Sequence, residues 1–161
     1  MRPKACILAL ALASAFAGTA SAQMVIEKKV ITADAARKIA EGCEAYAKSK
    51  GWHVSVWVLD ETLTPLYFYR MQGTQMFTVK PALAKAEVAV RTGQPNDAYV
   101  QNATTRGPFV ATVNAVAGGY VLSPGGLPIL IDGQIAGGIG IGGSTDDRAV
   151  AQAGIDAVFK K

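Results

Sequence analysis

From Ala33 onward, apolar and small residues recur at helical spacing: Ala36, Ile39, Ala40, Cys43 and Ala47 fall on one face. Thr32 stands where an N-cap belongs, Asp34 favours the first turn, and Gly51 suits the C-terminal stop. The spacing therefore predicts a helix from about Thr32 to Gly51. Beyond it the period shortens to two. Between Trp52 and Leu59, residues His53, Ser55, Trp57 and Leu59 share one face, and Val54, Val56, Val58 and Asp60 the other. A turn through Glu61 to Pro65 and a second β-rich run, Leu66 to Met71, complete an antiparallel hairpin.

Pro81 to Thr92 returns to the helical period, with a small-residue stripe at Ala82, Ala86, Ala89 and Val90 and a stop at Gly93. Pro95, Gly107 and Pro108 break Gln94 to Ala117 into short pieces, read as two brief helices. Gly118 to Ser123 reads as a strand and Pro124-Gly125-Gly126 as a tight turn. Leu127 to Ile131 and Gln134 to Ile141 are apolar strands joined by Asp132-Gly133, a type I′ hairpin signal. Gly137, Gly138, Gly140, Gly142 and Gly143 crowd the second of these strands. Glycine weakens a strand, so this many marks a close approach by a ligand or another backbone. Thr145, Asp146 and Asp147 open a last helix that runs to Phe159. With Gln23 to Ile31 as a short lead-in or edge strand, the order predicts an α+β domain, helices flanking an antiparallel sheet.

Composition changes this picture mainly at the N-terminus. Residues 1–22 have the three parts of a secretory signal peptide. Arg2 and Lys4 give the positive start, Ala5 to Gly18 is uncharged and apolar or small, and Ala20-Ser21-Ala22 is a small-x-small cleavage pattern. The apolar run is shorter than the roughly 20 residues a membrane span needs. Cleavage after Ala22 and a periplasmic or secreted location are expected, leaving residues 23–161 as a single domain. Loss of Arg2 and Lys4 halves the net charge of +4. No cluster of Lys or Arg remains to follow a phosphate backbone, so nucleic acid is not an expected partner. Cys43 is then the one remaining cysteine, which excludes an internal disulfide, and its place in the helical stripe predicts burial.

The common catalytic signatures are missing: there is no G-x-S-x-G elbow, no P-loop and no Cys/His set at zinc spacing. Gly138-Ile139-Gly140-Ile141-Gly142-Gly143 follows an antiparallel hairpin and opens no parallel βαβ unit, which argues against a dinucleotide loop. His53, the sole histidine, is the one side chain able to offer iron an imidazole or to act as a base near neutral pH. The alternative is a strand histidine, exposed or satisfied by a neighbour. Tyr67, Tyr69 and Tyr120 are available as phenolate ligands or as residues facing a sheet. Arg70 and Arg106 are suited to hold a carboxylate or propionate, and Lys85, mid-helix among alanines, to reach an anionic ligand. Solvation at the surface is the commoner fate of each. Asp60, after a run of valines, fits the fixing of a turn better than the work of a base.

Several separated blocks then add up. Val54-Ser55-Val56-Trp57-Val58-Leu59-Asp60, Tyr69-Arg70-Met71-Gln72-Gly73-Thr74 and Ala82-Leu83-Ala84-Lys85-Ala86 are followed by Pro124-Gly125-Gly126-Leu127-Pro128. Next come the glycine-rich stretch from Asp132 to Gly143 and the Asp146-Asp147 pair ahead of an alanine-rich helix. In this order they resemble the GlcG/HbpS family, the haem-degrading domain family, over nearly the whole chain from about Thr32. The resemblance implies a profilin-like sandwich with a central antiparallel sheet of about five strands, and assembly into homo-oligomers.

It also implies haem as the ligand, to be sequestered, sensed or degraded. On that reading His53 binds the iron, Arg70 or Arg106 meets the propionates, and the Gly137 to Gly143 strand, Gly138 and Gly140 included, forms apolar walls with Trp57. Relatives encoded beside catabolic enzymes imply an alternative, a cofactor-independent enzyme or binding protein for a small organic acid. Arg70, Lys85 and the backbone N–H groups at Gly125 and Gly126 would then hold the anion, with Asp60 or His53 moving a proton. A third implied role is that of an interaction protein for a membrane sensor. The chain departs from the family pattern in places. Glu61-Thr62-Leu63-Thr64 stands where glycine is usual, Met76 and Phe77 where polar residues are common, and Gly142-Gly143-Ser144 where a Ser-Gly pair is typical.

Overall fold

A computed structural model of the protein describes residues 26–98, 105–108, 111–112, 115, 121 and 123–160. The expected export signal lies outside the described residues, as does most of the run from Gly118 to Ser123. Helix α1 spans Ala33–Ser49. The Thr32 hydroxyl accepts from the Ala35 N–H at 3.1 Å, and the predicted stripe Ala36, Ile39, Ala40, Cys43 and Ala47 is buried. Lys50 caps the C-terminus, and Gly51, at φ +70°, turns the chain away in the left-handed region that glycine tolerates best.

Strands β1 (Ser55–Asp60) and β2 (Pro65–Arg70) pair antiparallel, with Val56 opposite Tyr69 and Trp57 opposite Phe68. Asp60 fixes the turn between them. One of its carboxylate oxygens accepts from the Thr62 N–H, the Thr62 hydroxyl and the Thr64 N–H, at 2.7–2.9 Å. Burial pulls that carboxyl upward, but the hydrogen bonds from Thr62 and Thr64 outweigh it and hold the group below its ordinary value. A 3₁₀ turn at Met76–Thr78 leads into α2 (Val79–Thr92), which ends at Gly93 with φ +64°. Strands β3 (Gly126–Ile131) and β4 (Gln134–Gly142) are joined by Asp132 and Gly133, at φ +51° and +76°. Both are positive, as a type I′ turn requires. Helix α3 (Asp147–Phe159) is capped by Asp146, which accepts from the Ala149 N–H at 2.9 Å.

The sheet order is β2-β1-β4-β3, every pairing antiparallel. The described residues thus make four strands where about five were expected. The run from Gly118 to Ser123 that would have supplied another is mostly outside them, and the described part of the lead-in, residues 26–31, forms no strand: its one backbone hydrogen bond to the sheet runs from Ile31 N–H to Ala136 O at 3.3 Å, beside a bond from Lys29 N–H to the Gln134 side chain at 3.2 Å. Helix α2 covers one face of the sheet, while α1 and α3 lie side by side on the other. Val54, Val56, Val58, Ile139 and Ile141 form the core beneath α1 and α3 with Ile39, Cys43 and Val150. Each such side chain removed from water contributes about 1.5–3 kcal/mol. The α+β class and its layered sandwich are therefore as the pattern and the resemblance implied. Cys43 is fully buried, and burial pushes its thiol up to about 12.

Candidate functional site

Two regions compete as the site, and the glycine-rich strand is the first. On β4, Gly138, Gly140 and Gly142 face α2. A Cβ on Gly140 would collide with the Ala82 carbonyl, one on Gly138 with the Val90 side chain, and one on Gly142 with the Thr78 carbonyl. The close approach marked by these glycines is that of the α2 backbone. Gly138 and Gly140 therefore have a helix against them where a ligand wall was expected. Trp57 is also occupied on this face, stacked on Phe68 at 4.2 Å and donating its indole N–H to Val79 O at 3.1 Å.

Lys85 differs from both of its readings, as an anion-binding residue and as a solvated one. Its ammonium is buried and donates to Asp147 at 2.7 Å and to Ile141 O at 3.0 Å. The anion it holds is one of the chain's own carboxylates, at the start of α3. Asp147 is itself held by the Ser144 N–H and hydroxyl, at 2.9 and 2.7 Å. Gly125 and Gly126 belong to the same packed corner. Gly125, at φ +112°, lies against Asp147, and Gly126 lies against Asn96 and the Lys85 carbonyl. Arg70 is exposed and donates to Thr74 O at 3.3 Å and to the Met76 sulfur at 2.6 Å. Arg106 is exposed on the segment that follows α2.

The second region is a cleft of about 590 Å³ at the C-terminal end of α1, within the range of roughly 300–1,000 Å³ usual for small-molecule sites. Glu44, Lys48 and Gly51 line it from the helix side, Trp52 and His53 from the connection to β1, and Tyr69, Met71, Gln72 and Gly73 from β2 and its exit. Of the residues singled out for ligand contact, His53 and Tyr69 are here, while Arg70, Lys85, Arg106, Gly125, Gly126, Gly138 and Gly140 are not. The exposed His53 imidazole lies against Gly73, where an added Cβ would stand 3.3 Å from Nδ1.

The polar wall of the cleft is built from α1 and β2 together. Glu44 and Lys48, one helical turn apart, pair at 2.8 Å, and the Tyr69 hydroxyl donates to the same Glu44 oxygen at 2.8 Å. The bonds from Lys48 and then Tyr69 hold the Glu44 carboxyl below its ordinary range. In return, the acceptor at Glu44 pushes the Tyr69 phenol and the Lys48 ammonium upward. Trp52 packs edge-on against Tyr46 at 6.4 Å, and its backbone N–H donates to Ala47 O at 2.9 Å, which fixes the apolar wall. The Met71 sulfur accepts from the Val54 N–H at 3.4 Å, so its thioether faces the strand.

Sequence reasoning found His53 and named Tyr69 among three tyrosines, but missed Glu44, Lys48, Trp52 and Gly73. The i,i+4 spacing of Glu44 and Lys48 was visible. Their meeting with Tyr69 needs the hairpin to lie beside the last turn of α1, which no local pattern specifies.

A family model described as haem degrading protein HbpS-like matches residues 31–156. Among solved structures, ORFY from Klebsiella pneumoniae superposes with a TM-score of 0.79 at 22% identity, over 85% of this chain and 96% of that one. A double mutant of HbpS from Streptomyces reticuli gives 0.75 at 26% identity, over 99% of this chain and 100% of the other. A complex of PduOC with haem gives 0.73 at 22% identity, over 81% and 96%. No curated protein sequence matches the chain.

Proposed function

The chain belongs to the family of HbpS-like haem-degrading proteins, and from that premise we propose that it is an exported protein that captures haem in the cleft at the end of α1. The observation that carries this reading is the donor set. One open cleft combines an imidazole at His53, a phenol at Tyr69, an aromatic wall at Trp52 and a cation at Lys48. A flat tetrapyrrole needs an axial ligand, apolar walls and a positive group near its propionates, and the residues present fit each requirement. Bound haem would supply its own iron chemistry; the chain's part is to hold, orient and partly shield it. Arg70 and Arg106 have no place in this cleft, so Lys48 takes over the propionate role first given to them.

Export is supported by the three-part pattern of residues 1–22. Assembly into homo-oligomers is supported by the family resemblance and by the apolar surface that Phe68, Met76 and Phe77 expose. The organic-acid reading has no observation in its favour, because its anion-binding groups do not converge. Lys85 holds Asp147, Gly125 and Gly126 are packed, and Arg70 lies outside the cleft.

Titration with hemin tests the proposal. Saturable binding with a shifted Soret band is expected, and Trp52→Ala is expected to weaken it about tenfold, on the order of 1.4 kcal/mol. The absence of a saturable shift would sink the reading.

A further inference from the structure

Besides the Glu44 carboxylate, already engaged by Lys48 and Tyr69, three groups with iron-binding chemistry line the cleft: the His53 imidazole, the Met71 thioether and the Tyr69 phenol. They differ in what stands behind them. Met71 is buried, and its sulfur already accepts from the Val54 N–H. His53 is exposed, precedes β1, and its ring has no hydrogen-bond partner among the described residues. A ligating histidine ordinarily donates its second ring N–H to a carboxylate or carbonyl that sets its orientation and basicity. His53 lacks that support.

Tyr69 has it. It is half-buried on β2, in register with Val56, and its hydroxyl donates to Glu44 at 2.8 Å. Glu44 is in turn held by Lys48 at 2.8 Å. The phenol is the one candidate ligand in the cleft with a carboxylate in place to steer it.

Resting on the haem reading above, we infer that Tyr69, not His53, is the protein's ligand to ferric haem iron, with Glu44 as its positioning residue. Ligation breaks the phenol O–H bond and forms an oxygen–iron bond. The proton passes along the existing hydrogen bond to the Glu44 carboxylate, which then donates back to the ligated phenolate oxygen. Charge and atoms balance without a further reactant. Lys48, exposed at the rim, is thereby released from its carboxylate and becomes available to a propionate. An anionic oxygen ligand favours the ferric over the ferrous state, so the site would hold oxidised haem and loosen its grip on reduction.

The test uses the full chain, freed of haem and titrated with hemin, as wild type, Tyr69→Phe, His53→Ala and Glu44→Gln. Absorption and resonance Raman spectra are read on each, with near-UV circular dichroism to verify folding. The wild-type ferric complex is expected to show iron–phenolate vibrations, retained in His53→Ala and lost in Tyr69→Phe. Glu44→Gln is expected to weaken hemin binding about 10- to 100-fold, the usual size of a lost partner behind a ligand. Retention of the wild-type spectrum and affinity by Tyr69→Phe, with their loss in His53→Ala, overturns the inference and leaves the haem reading standing. Should Tyr69→Phe not fold, Glu44→Gln decides: an iron–ligand spectrum and affinity identical to wild type overturn it. No saturable binding by wild type removes the haem reading and this inference together.

Discussion

Strand β4 and the last turn of α1 both gather unusual residues, yet they end in opposite states. Beside β4 the glycines let the α2 backbone settle directly on the sheet, and the buried cation there, Lys85, is neutralised by Asp147 and donates also to Ile141 O. At the end of α1 the layers part. Glu44, Lys48, Tyr69 and His53 surround open space, and the charged groups bond to one another at its edge. A glycine run reports that something comes near the backbone, and here it is the chain itself. A gap reports where the layers stop meeting, and that is where a ligand has room.

Breaking the closed region should cost the most. Lys85→Ala leaves the half-buried Asp147 without its cation, held only by the bonds from Ser144, and is expected to lower unfolding free energy by about 3 kcal/mol, read from denaturant midpoints. Lys85→Met with Asp147→Leu should recover most of that loss. A double variant no more stable than the single one would break the account of this corner. Gly140→Ala drives a methyl into the Ala82 carbonyl and should cost about 1–3 kcal/mol or more by the same measurement. Gly51→Ala, at the cleft, meets nothing within 4 Å, and only its φ of +70° opposes it, at about 1–2 kcal/mol. Equal losses at the two glycines would erase the contrast between a packed and an open region.

The smallest effect belongs to the cleft's polar wall. Glu44 is held below its ordinary 4.5, first by Lys48 and then by Tyr69, so folding favours its ionised form. The stability it contributes is present above pH 4.5 and is lost as pH falls below that value through the lower folded one. The group is near solvent, so no more than about 1 kcal/mol is expected. The stability difference between wild type and Glu44→Gln should shrink as pH drops below 4.5. A difference that grows on acidification would reverse the sign assigned to this group.

The legible parts of the molecule were those set by neighbours in the chain. The Ala36, Ile39, Ala40, Cys43, Ala47 stripe became the buried face of α1, and the alternation of valines with Ser55, Trp57 and Leu59 became the two faces of β1. Asp132-Gly133 made the turn its chemistry demands, and Asp60 fixed the other hairpin. Each follows from local geometry, helical or strand period, a cap, or a residue that tolerates positive φ.

What only the tertiary structure decided is which groups face each other. Lys85 looked available because the acidic residue near it in the chain, Glu87, stands two positions on, where the helix turns it to another face; the carboxylate it meets lies 62 residues away. Gly138 and Gly140 looked like a ligand wall because a strand cannot say which layer will cover it. Glu44 and Tyr69, 25 residues apart, meet because β1 carries β2 alongside the end of α1. Those partnerships depend on packing between layers rather than on period or propensity. The residues 31–156 therefore determine a family and a sandwich, while the cleft exists only once the layers have closed and left one end apart.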